Sequence, residues 1–381
     1  MTGIYGYNNI VKIDPHGGNI YRLAEELGVD LSSILDFSAS INPLGIPKSA
    51  LSAIKETLPY LNYYPDSKAT KLCETISDTY GIDSETIICG NGSTELIYLI
   101  MRVLRPEKML IPVPTFSEYE RAFRTIIQDN NPSATIENFV LWEKDNFILN
   151  IDEFIRSMTG GVDIENARKS LMLVTPDLVF LCNPNNPTGA VLSRSQVLKI
   201  AEVSKMMKCY LVVDEAFIDY CPEHSVIKEA SKNPYLIVLR SMTKFYALSG
   251  LRIGFGVFPI DLINRIKSLK EPWTVNTLAQ VSAMSALKDN AFISKTFKVL
   301  QEGKTTLEDG FKLLKIKYYP SSANFYLFRF DRGIDLPRYL RTKGILIRDC
   351  SNFIGLDKGF IRVAVKDNKD NMRLLKEIAR I

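Results

Sequence analysis

The chain predicts an α/β fold, in which a mostly parallel central sheet is covered by helices and a smaller α+β domain is attached. Three observations carry this. Short apolar runs alternate with amphipathic helical patterns from about residue 86 to residue 258, as strands joined by crossover helices do. A long stretch without proline, residues 291–314, then reads as one helix. Beyond it strands return in a different rhythm, which marks a second domain.

Residues 86–89 read as the first strand, and residues 94–104 as the helix after it. Residues 108–112 are a second strand, followed by a helix over 116–127. A strand at 177–182 leads through a Pro-rich turn to a helix at 194–207. Strands at 210–213, 236–239 and 253–258 complete the sheet. In the smaller domain, strands at 324–330 and 360–365 flank a helix at 336–343, and a helix at 371–379 follows. The first fifty residues are rich in Gly, Asn and Pro and read as an arm plus part of that domain. The expected organisation is therefore 1–50 (arm and part of the small domain), 51–285 (large domain) and 286–381 (small domain). Residues 129–175 read either as a substrate contact or as a surface cover.

With 381 residues, 46% of them hydrophobic and 24% charged, the chain has ample material for a large core. Lys and Arg total 47 against 43 Asp and Glu, a net charge of +4. That balance, without a long basic run, argues against nucleic acid as a partner. No stretch approaches the roughly 20 apolar residues of a membrane helix, and residues 1–9 lack the pattern of a secretory signal. The expected location is the cytoplasm. Cys73, Cys89, Cys182, Cys209, Cys221 and Cys350 are scattered and read as reduced, structural thiols. With two histidines, His16 and His224, in the whole chain, no metal site is expected.

In open α/β sheets ligands gather beyond the carboxyl ends of the strands, and the chemically informative residues fall there. Lys244, in Ser241-Met242-Thr243-Lys244, follows a buried strand. It reads either as a Schiff-base lysine, its amine freed by desolvation, or as a surface lysine at a strand-to-loop junction. Asp214 ends the apolar run Leu211-Val212-Val213. A carboxylate there can pair with a protonated ring nitrogen or simply cap a turn. Asn183-Pro184-Asn185-Asn186-Pro187-Thr188-Gly189 is more specific, because two prolines and a glycine restrain the loop that carries the Asn186 amide. Gly90-Asn91-Gly92-Ser93-Thr94, between strand and helix, offers backbone N–H groups to a phosphate. Phe116, in Pro114-Thr115-Phe116, is placed to stack on a flat ring or to sit in the core.

Taken in this order and at these separations, the segments resemble the fold-type I, aminotransferase-like enzymes that use pyridoxal 5'-phosphate. The resemblance runs from His16 to about Asn371. It implies that Lys244 carries the cofactor aldehyde and Asp214 pairs with the pyridine nitrogen. It further implies that Asn186 bonds the ring hydroxyl, that Phe116 stacks on the ring, and that Ser93, Thr94, Ser241 and Arg252 grip the phosphate. Tyr64, in Asn62-Tyr63-Tyr64-Pro65, matches a tyrosine that reaches a neighbouring subunit's cofactor, which implies a homodimer. Arg362 matches the arginine that binds a substrate carboxylate. One position departs from the pattern: Phe217 stands where many relatives carry a tyrosine that bonds the ring hydroxyl.

His16-Gly17-Gly18-Asn19, Asp36-Phe37-Ser38-Ala39-Ser40-Ile41-Asn42-Pro43 and Arg348-Asp349-Cys350 resemble the threonine-phosphate decarboxylases of cobalamin biosynthesis. The histidinol-phosphate aminotransferases are the neighbouring resemblance. The reaction implied is decarboxylation of O-phospho-L-threonine or O-phospho-L-serine; amino transfer between histidinol phosphate and 2-oxoglutarate is the alternative. A non-catalytic binding protein is a third possibility, disfavoured by the presence of Lys244, Asp214 and Arg252 together. Cofactor and lysine are common to both reactions, so the groups anchoring the substrate's far end decide which Cα bond breaks. His16, Asn42, Asn186, Arg348 and Arg362 are the candidates for that role, with Arg348 the expected phosphate ligand. His224 reads as a surface-loop residue.

Overall fold

The computed structural model describes residues 16–128, 133–161 and 175–381. The first fifteen residues of the expected arm, and residues 129–132 and 162–174 of the 129–175 segment, lie outside the described residues. A two-residue strand, β1 (Leu35–Asp36), precedes the main sheet. That sheet comprises β2 (Ile87–Gly90), β3 (Lys108–Val113), β4 (Thr135–Val140), β5 (Leu178–Cys182), β6 (Tyr210–Asp214), β7 (Leu236–Ser241) and β8 (Gly254–Val257). Its order is β2-β8-β7-β6-β5-β3-β4. The pairs β3–β4, β3–β5, β5–β6 and β6–β7 are parallel, whereas β8 runs antiparallel to both β2 and β7. The fold is thus the mostly parallel, helix-covered sheet that the alternation predicts.

Strands β5 and β7 are buried along their whole length, which is why they read as continuous apolar runs: helices cover both faces. Ile97, Ile100, Phe123 and Phe180 fill one side, and Val179, Leu181, Val197 and Ile200 the other. Truncating a fully buried ring such as Phe180 to alanine costs about 3–5 kcal/mol in such a core. The helix Arg194–Met207 starts in a capping box, with Ser193 and Gln196 exchanging side-chain and backbone hydrogen bonds. Strand β4, absent from the sequence reading, lies at the sheet edge. Its Glu137 and Asn138 interrupt the apolar residues and its side chains are half-buried or exposed, so no buried run announces it.

A second, antiparallel sheet follows the helix Asn290–Leu313. Its strands are β9 (Lys317–Tyr318), β10 (Phe325–Arg329), β12 (Arg348–Asp349) and β13 (Phe360–Ala364), in the order β12-β13-β10-β9. Strand β11 (Ile345–Leu346) pairs instead with β1, Leu35 opposite Ile345, so the N-terminal segment is hydrogen-bonded into the C-terminal region. The described part of residues 129–175 bridges the two sheets. Glu143 accepts hydrogen bonds from Lys317 Nζ (2.6 Å) and Tyr319 Oη (2.7 Å), and Phe147 packs edge-on against Tyr319. No helix among the described residues is long and apolar enough to cross a membrane. All six cysteines are buried free thiols.

Candidate active site

Successive strand ends of the main sheet deliver side chains to one rim. Strands β2, β3, β5, β6 and β7 point their carboxyl ends the same way, and antiparallel β8 brings its amino end, with Arg252 just before it, to the same place. Register puts Gly254 opposite both Gly90 and Ser241, and Asp214 opposite Cys182. Beside this rim lies a cavity of about 460 Å³, closed from the other side by β12, β13 and the loop 38–40.

One end of the cavity is an anion cradle. The helix Gly92–Leu104 starts there, presenting its first-turn N–H groups and the positive end of its dipole. Gly92 has φ +74°, and a Cβ on it would stand 2.5 Å from Arg252 Nη2. A Cβ on Gly254 would stand 2.5 Å from the Ser93 backbone nitrogen. The two glycines therefore let Arg252, Ser93 and the strand ends converge. Ser241 Oγ and Thr243 Oγ1 share a 2.7 Å hydrogen bond, and both residues line the cavity along with Ser93 and Thr94.

Asp214 lies on the cavity floor, 2% exposed. It accepts hydrogen bonds from Tyr119 Oη (2.7 Å) and from the Ala216 N–H (3.0 Å). Burial raises its carboxyl above the ordinary value, while the Tyr119 and Ala216 bonds and the nearby Lys244 charge oppose that rise. Lys244 follows β7, and its carbonyl accepts from the Asn42 N–H at 3.0 Å. Its Nζ stands 5.9 Å from the centroid of the Phe217 ring. Burial, with the positive charges of Arg362 and Arg252, brings this amine down to about 8. Phe116 lines the cavity and meets Tyr119 edge-on.

The far wall is cationic. Arg362 is 7% exposed, donating through Nη2 to the Ser38 carbonyl (2.9 Å) and through Nη1 to Asn186 Oδ1. That contact turns the Asn186 oxygen away and leaves its NH₂ to donate elsewhere. Arg362 Nε has no hydrogen-bond partner among the described residues. Burial, together with the like charge of Arg348, lowers Arg362 to about 10. Arg348, 5% exposed, donates to Asn352 Oδ1 at 2.8 Å and stands over the Phe353 ring. At the mouth, His16 Nε2 bonds Glu118 Oε1 at 2.9 Å.

Eleven of the thirteen residues singled out in the sequence line this one cavity. Asn42 does not: it is 3% exposed, and its Nδ2 donates to the Phe245 carbonyl (2.7 Å) and Thr296 Oγ1 (2.8 Å). Both N–H donors of its amide are spent, one bracing the Lys244 loop and the other on Thr296, which leaves no N–H for a substrate. Tyr64 is 82% exposed and packs on Trp273, ring centroids 5.0 Å apart, away from the cavity. None of the described residues of 129–175 lines it either.

The structure adds residues the sequence reading left without a role. Ser38 and Ser40 line the cavity within the quoted 36–43 motif, and Thr243 sits one residue before Lys244. Glu118 and Tyr119 belong to the helix after Phe116. No local signal sets them apart from their polar neighbours Ser117, Glu120 and Arg121; only the fold shows what they touch.

The residues fit pyridoxal 5'-phosphate. There is a glycine-built cradle for its phosphate, a buried carboxylate for its ring nitrogen and a desolvated amine for its aldehyde. Residues 32–378 match the family described as aminotransferase class I and II. Threonine-phosphate decarboxylase of Salmonella typhimurium is 36% identical over 96% of each chain. The adenosylcobalamin biosynthesis bifunctional protein CobDQ of Leptospira interrogans is 34% identical over 97% of this chain and 41% of that longer protein. The crystal structure of histidinol-phosphate aminotransferase from Clostridium acetobutylicum superposes with a TM-score of 0.78 at 31% identity, covering 90% of this chain and 98% of that one. This chain belongs to the aminotransferase class I and II family, and its chemistry depends on pyridoxal 5'-phosphate.

Proposed function

We propose that the enzyme decarboxylates O-phospho-L-threonine, or O-phospho-L-serine, to the corresponding amino-alcohol phosphate, for the nucleotide-loop linker of a cobalamin. The observation that carries this reading is the pair of buried arginines, Arg348 and Arg362, in the same cavity as Lys244 and Asp214. Two guanidinium groups beyond the cofactor site suit a substrate with two anionic ends, a carboxylate and a phosphate. The similarity to a threonine-phosphate decarboxylase over nearly the whole chain supports the same substrate, and the similarity to CobDQ supports the cobalamin setting.

In this reading Lys244 would hold the cofactor aldehyde, Asp214 its ring nitrogen, Asn186 its ring oxygen and Phe116 its ring face. Ser93, Thr94, Ser241 and Arg252 would hold its phosphate. Bound there, the cofactor supplies an electron sink for the pair left at the substrate Cα when one of its bonds breaks. Arg362 takes the substrate carboxylate and Arg348 the substrate phosphate, with His16 over the mouth. Anchoring both ends sets the rotation about Cα and so selects the bond that is cleaved. Lys244 Nζ, with its affinity for protons reduced by burial, can release a proton to Cα and regain it near neutrality.

In this reading residues 51–285 are the large domain, 1–50 an N-terminal arm and part of the small domain, and 286–381 the C-terminal small domain; the β1–β11 pairing supports joining the N-terminal segment to the small domain. The enzyme acts in the cytoplasm as a homodimer in which Tyr64 reaches the cofactor phosphate of the neighbouring copy. The exposed Leu58, Tyr60, Leu61 and Tyr63 beside Tyr64 support an apolar contact there.

Amino transfer from histidinol phosphate to 2-oxoglutarate is the second reading, favoured by the likeness to a histidinol-phosphate aminotransferase. One assay separates them. O-phospho-L-threonine is supplied without a keto acid and carbon dioxide is measured. Catalytic release supports decarboxylation; turnover only with histidinol phosphate and 2-oxoglutarate supports the second reading.

A further inference from the structure

We infer that Tyr119 is a positioning residue that fixes the proton between Asp214 and the cofactor's ring nitrogen; this rests on the reading that Asp214 pairs with that nitrogen. Tyr119 is fully buried, and no substrate atom can reach it. Its Oη donates to Asp214 Oδ2 at 2.7 Å. Its ring stacks on Phe180 with centroids 4.6 Å apart at 20°, and meets Phe116 edge-on at 5.6 Å and 84°. One side chain therefore touches both the carboxylate under the expected ring nitrogen and the phenylalanine against the expected ring face. Stacking holds the phenol in one orientation, so the hydroxyl is aimed before any ligand arrives.

The direction of its effect follows from elementary acid–base reasoning. A hydrogen bond to a carboxylate favours the charged form. Without that bond Asp214 binds a proton more strongly, and a proton shared with a ring nitrogen moves toward the carboxylate. A ring that loses its proton is a weaker electron sink. The phenol itself stays a donor, because burial and the Asp214 charge both push its ionisation well above the ordinary range. Only the Ala216 N–H and the Lys244 charge remain to oppose the burial of Asp214 once the phenol is removed.

The test compares Tyr119→Phe and Asp214→Asn with the parent, using apo-protein titrated with pyridoxal phosphate labelled with ¹⁵N in its ring. Tyr119→Phe keeps the ring and both aromatic contacts, so the melting of the apo-protein serves as the control for folding. The expected result is a cofactor dissociation constant shifted by up to about tenfold, because the Tyr119–Asp214 bond is made with and without the cofactor and only its influence on the shared proton differs. The ring ¹⁵N signal is expected to shift toward its unprotonated position. A Tyr119→Phe protein with the parent's affinity and ¹⁵N signal, beside an Asp214→Asn protein that has lost both, overturns the inference and leaves the reading of Asp214 standing. An Asp214→Asn protein indistinguishable from the parent overturns the reading, and the inference with it.

Discussion

Arg348 on β12 and Arg362 on β13 stand directly opposite one another in the second sheet. Opposed residues on antiparallel strands share one face, and like charges placed there repel. Each guanidinium is held by its own partners: Asn352 for Arg348, Ser38 and Asn186 for Arg362. The pair places two positive charges on one wall of the cavity. Arg348→Gln is expected to weaken binding of O-phospho-L-threonine by ten- to a hundredfold, about 1.5–3 kcal/mol for a hydrogen bond to a charged group. The affinity for unphosphorylated L-threonine is expected to stay unchanged, and competition experiments with both ligands read the difference. Equal losses for the two would assign Arg348 elsewhere.

Lys244 should be the residue through which the cofactor is retained. Borohydride reduction of the holoenzyme followed by peptide mapping is expected to place the label on position 244, and Lys244→Ala is expected to abolish both label and turnover. In the apo-protein the amine titrates near 8 instead of its ordinary 10.5. The uncharged fraction therefore grows as pH rises through about 8 and saturates above it. Trapping of a simple aldehyde at position 244 should follow that curve.

The mouth of the cavity offers a coupled test. Glu118 is 6% exposed and accepts from His16 Nε2, from Tyr98 Oη at 3.0 Å and from Arg121 Nη1 at 3.4 Å. The His16 bond leads in holding its carboxyl below the ordinary range. If Glu118 aims His16 at the substrate, His16→Ala and Glu118→Gln should raise KM for the phosphorylated substrate by similar factors. The double variant should then be no worse than either single one. Strictly additive effects would separate the two residues.

Asn42 is expected to matter for stability rather than for selectivity. Removing its amide orphans the Phe245 carbonyl and the Leu44 N–H, the latter bonded to Asn42 Oδ1 at 3.0 Å. Asn42→Ala should cost about 1–3 kcal/mol of unfolding free energy. Denaturant titration checks this, and the ratio of KM values for phosphorylated and unphosphorylated substrate should stay at the parent value.

The two cradle glycines should differ in their tolerance. An alanine at Gly254 meets the Ser93 nitrogen and the Arg240 carbonyl, backbone atoms that cannot give way, whereas one at Gly92, strained by its φ of +74°, meets only the flexible end of Arg252. Both variants are expected to bind pyridoxal phosphate more weakly, Gly254→Ala the more severely. Fluorescence titration of the apo-proteins ranks them, and the reverse order would contradict the geometry of the cradle.

The buried strands were legible in the linear chain, because helices on both faces demand unbroken apolar runs such as Leu178–Cys182. So were the loops beyond them, whose Gly, Pro and Asn content reflects constraints acting over a few residues. Asn186 sits in such a loop, Asp214 ends a buried strand, Lys244 closely follows one, and Gly90–Thr94 joins a strand to a helix, which is why local motifs sufficed to find them. Edge strand β4 was not legible, since half-exposed side chains need no apolar continuity.

What lay beyond sequence was decided by contacts between distant segments. Asn42 and Ser40 are two residues apart in one motif, yet one braces the Lys244 loop and the other lines the cavity. His16 and Glu118, separated by about a hundred positions, meet only because the fold brings His16 against the helix Glu118–Gln128. Tyr119 reaches Asp214, and Arg348 faces Arg362, through helix placement and strand register. The chain alone determined which chemical groups stand at the strand ends, because backbone preferences and burial act locally. Which of those groups are spent on one another, and which remain for a ligand, depended on three-dimensional packing, because a hydrogen bond is decided by proximity in space.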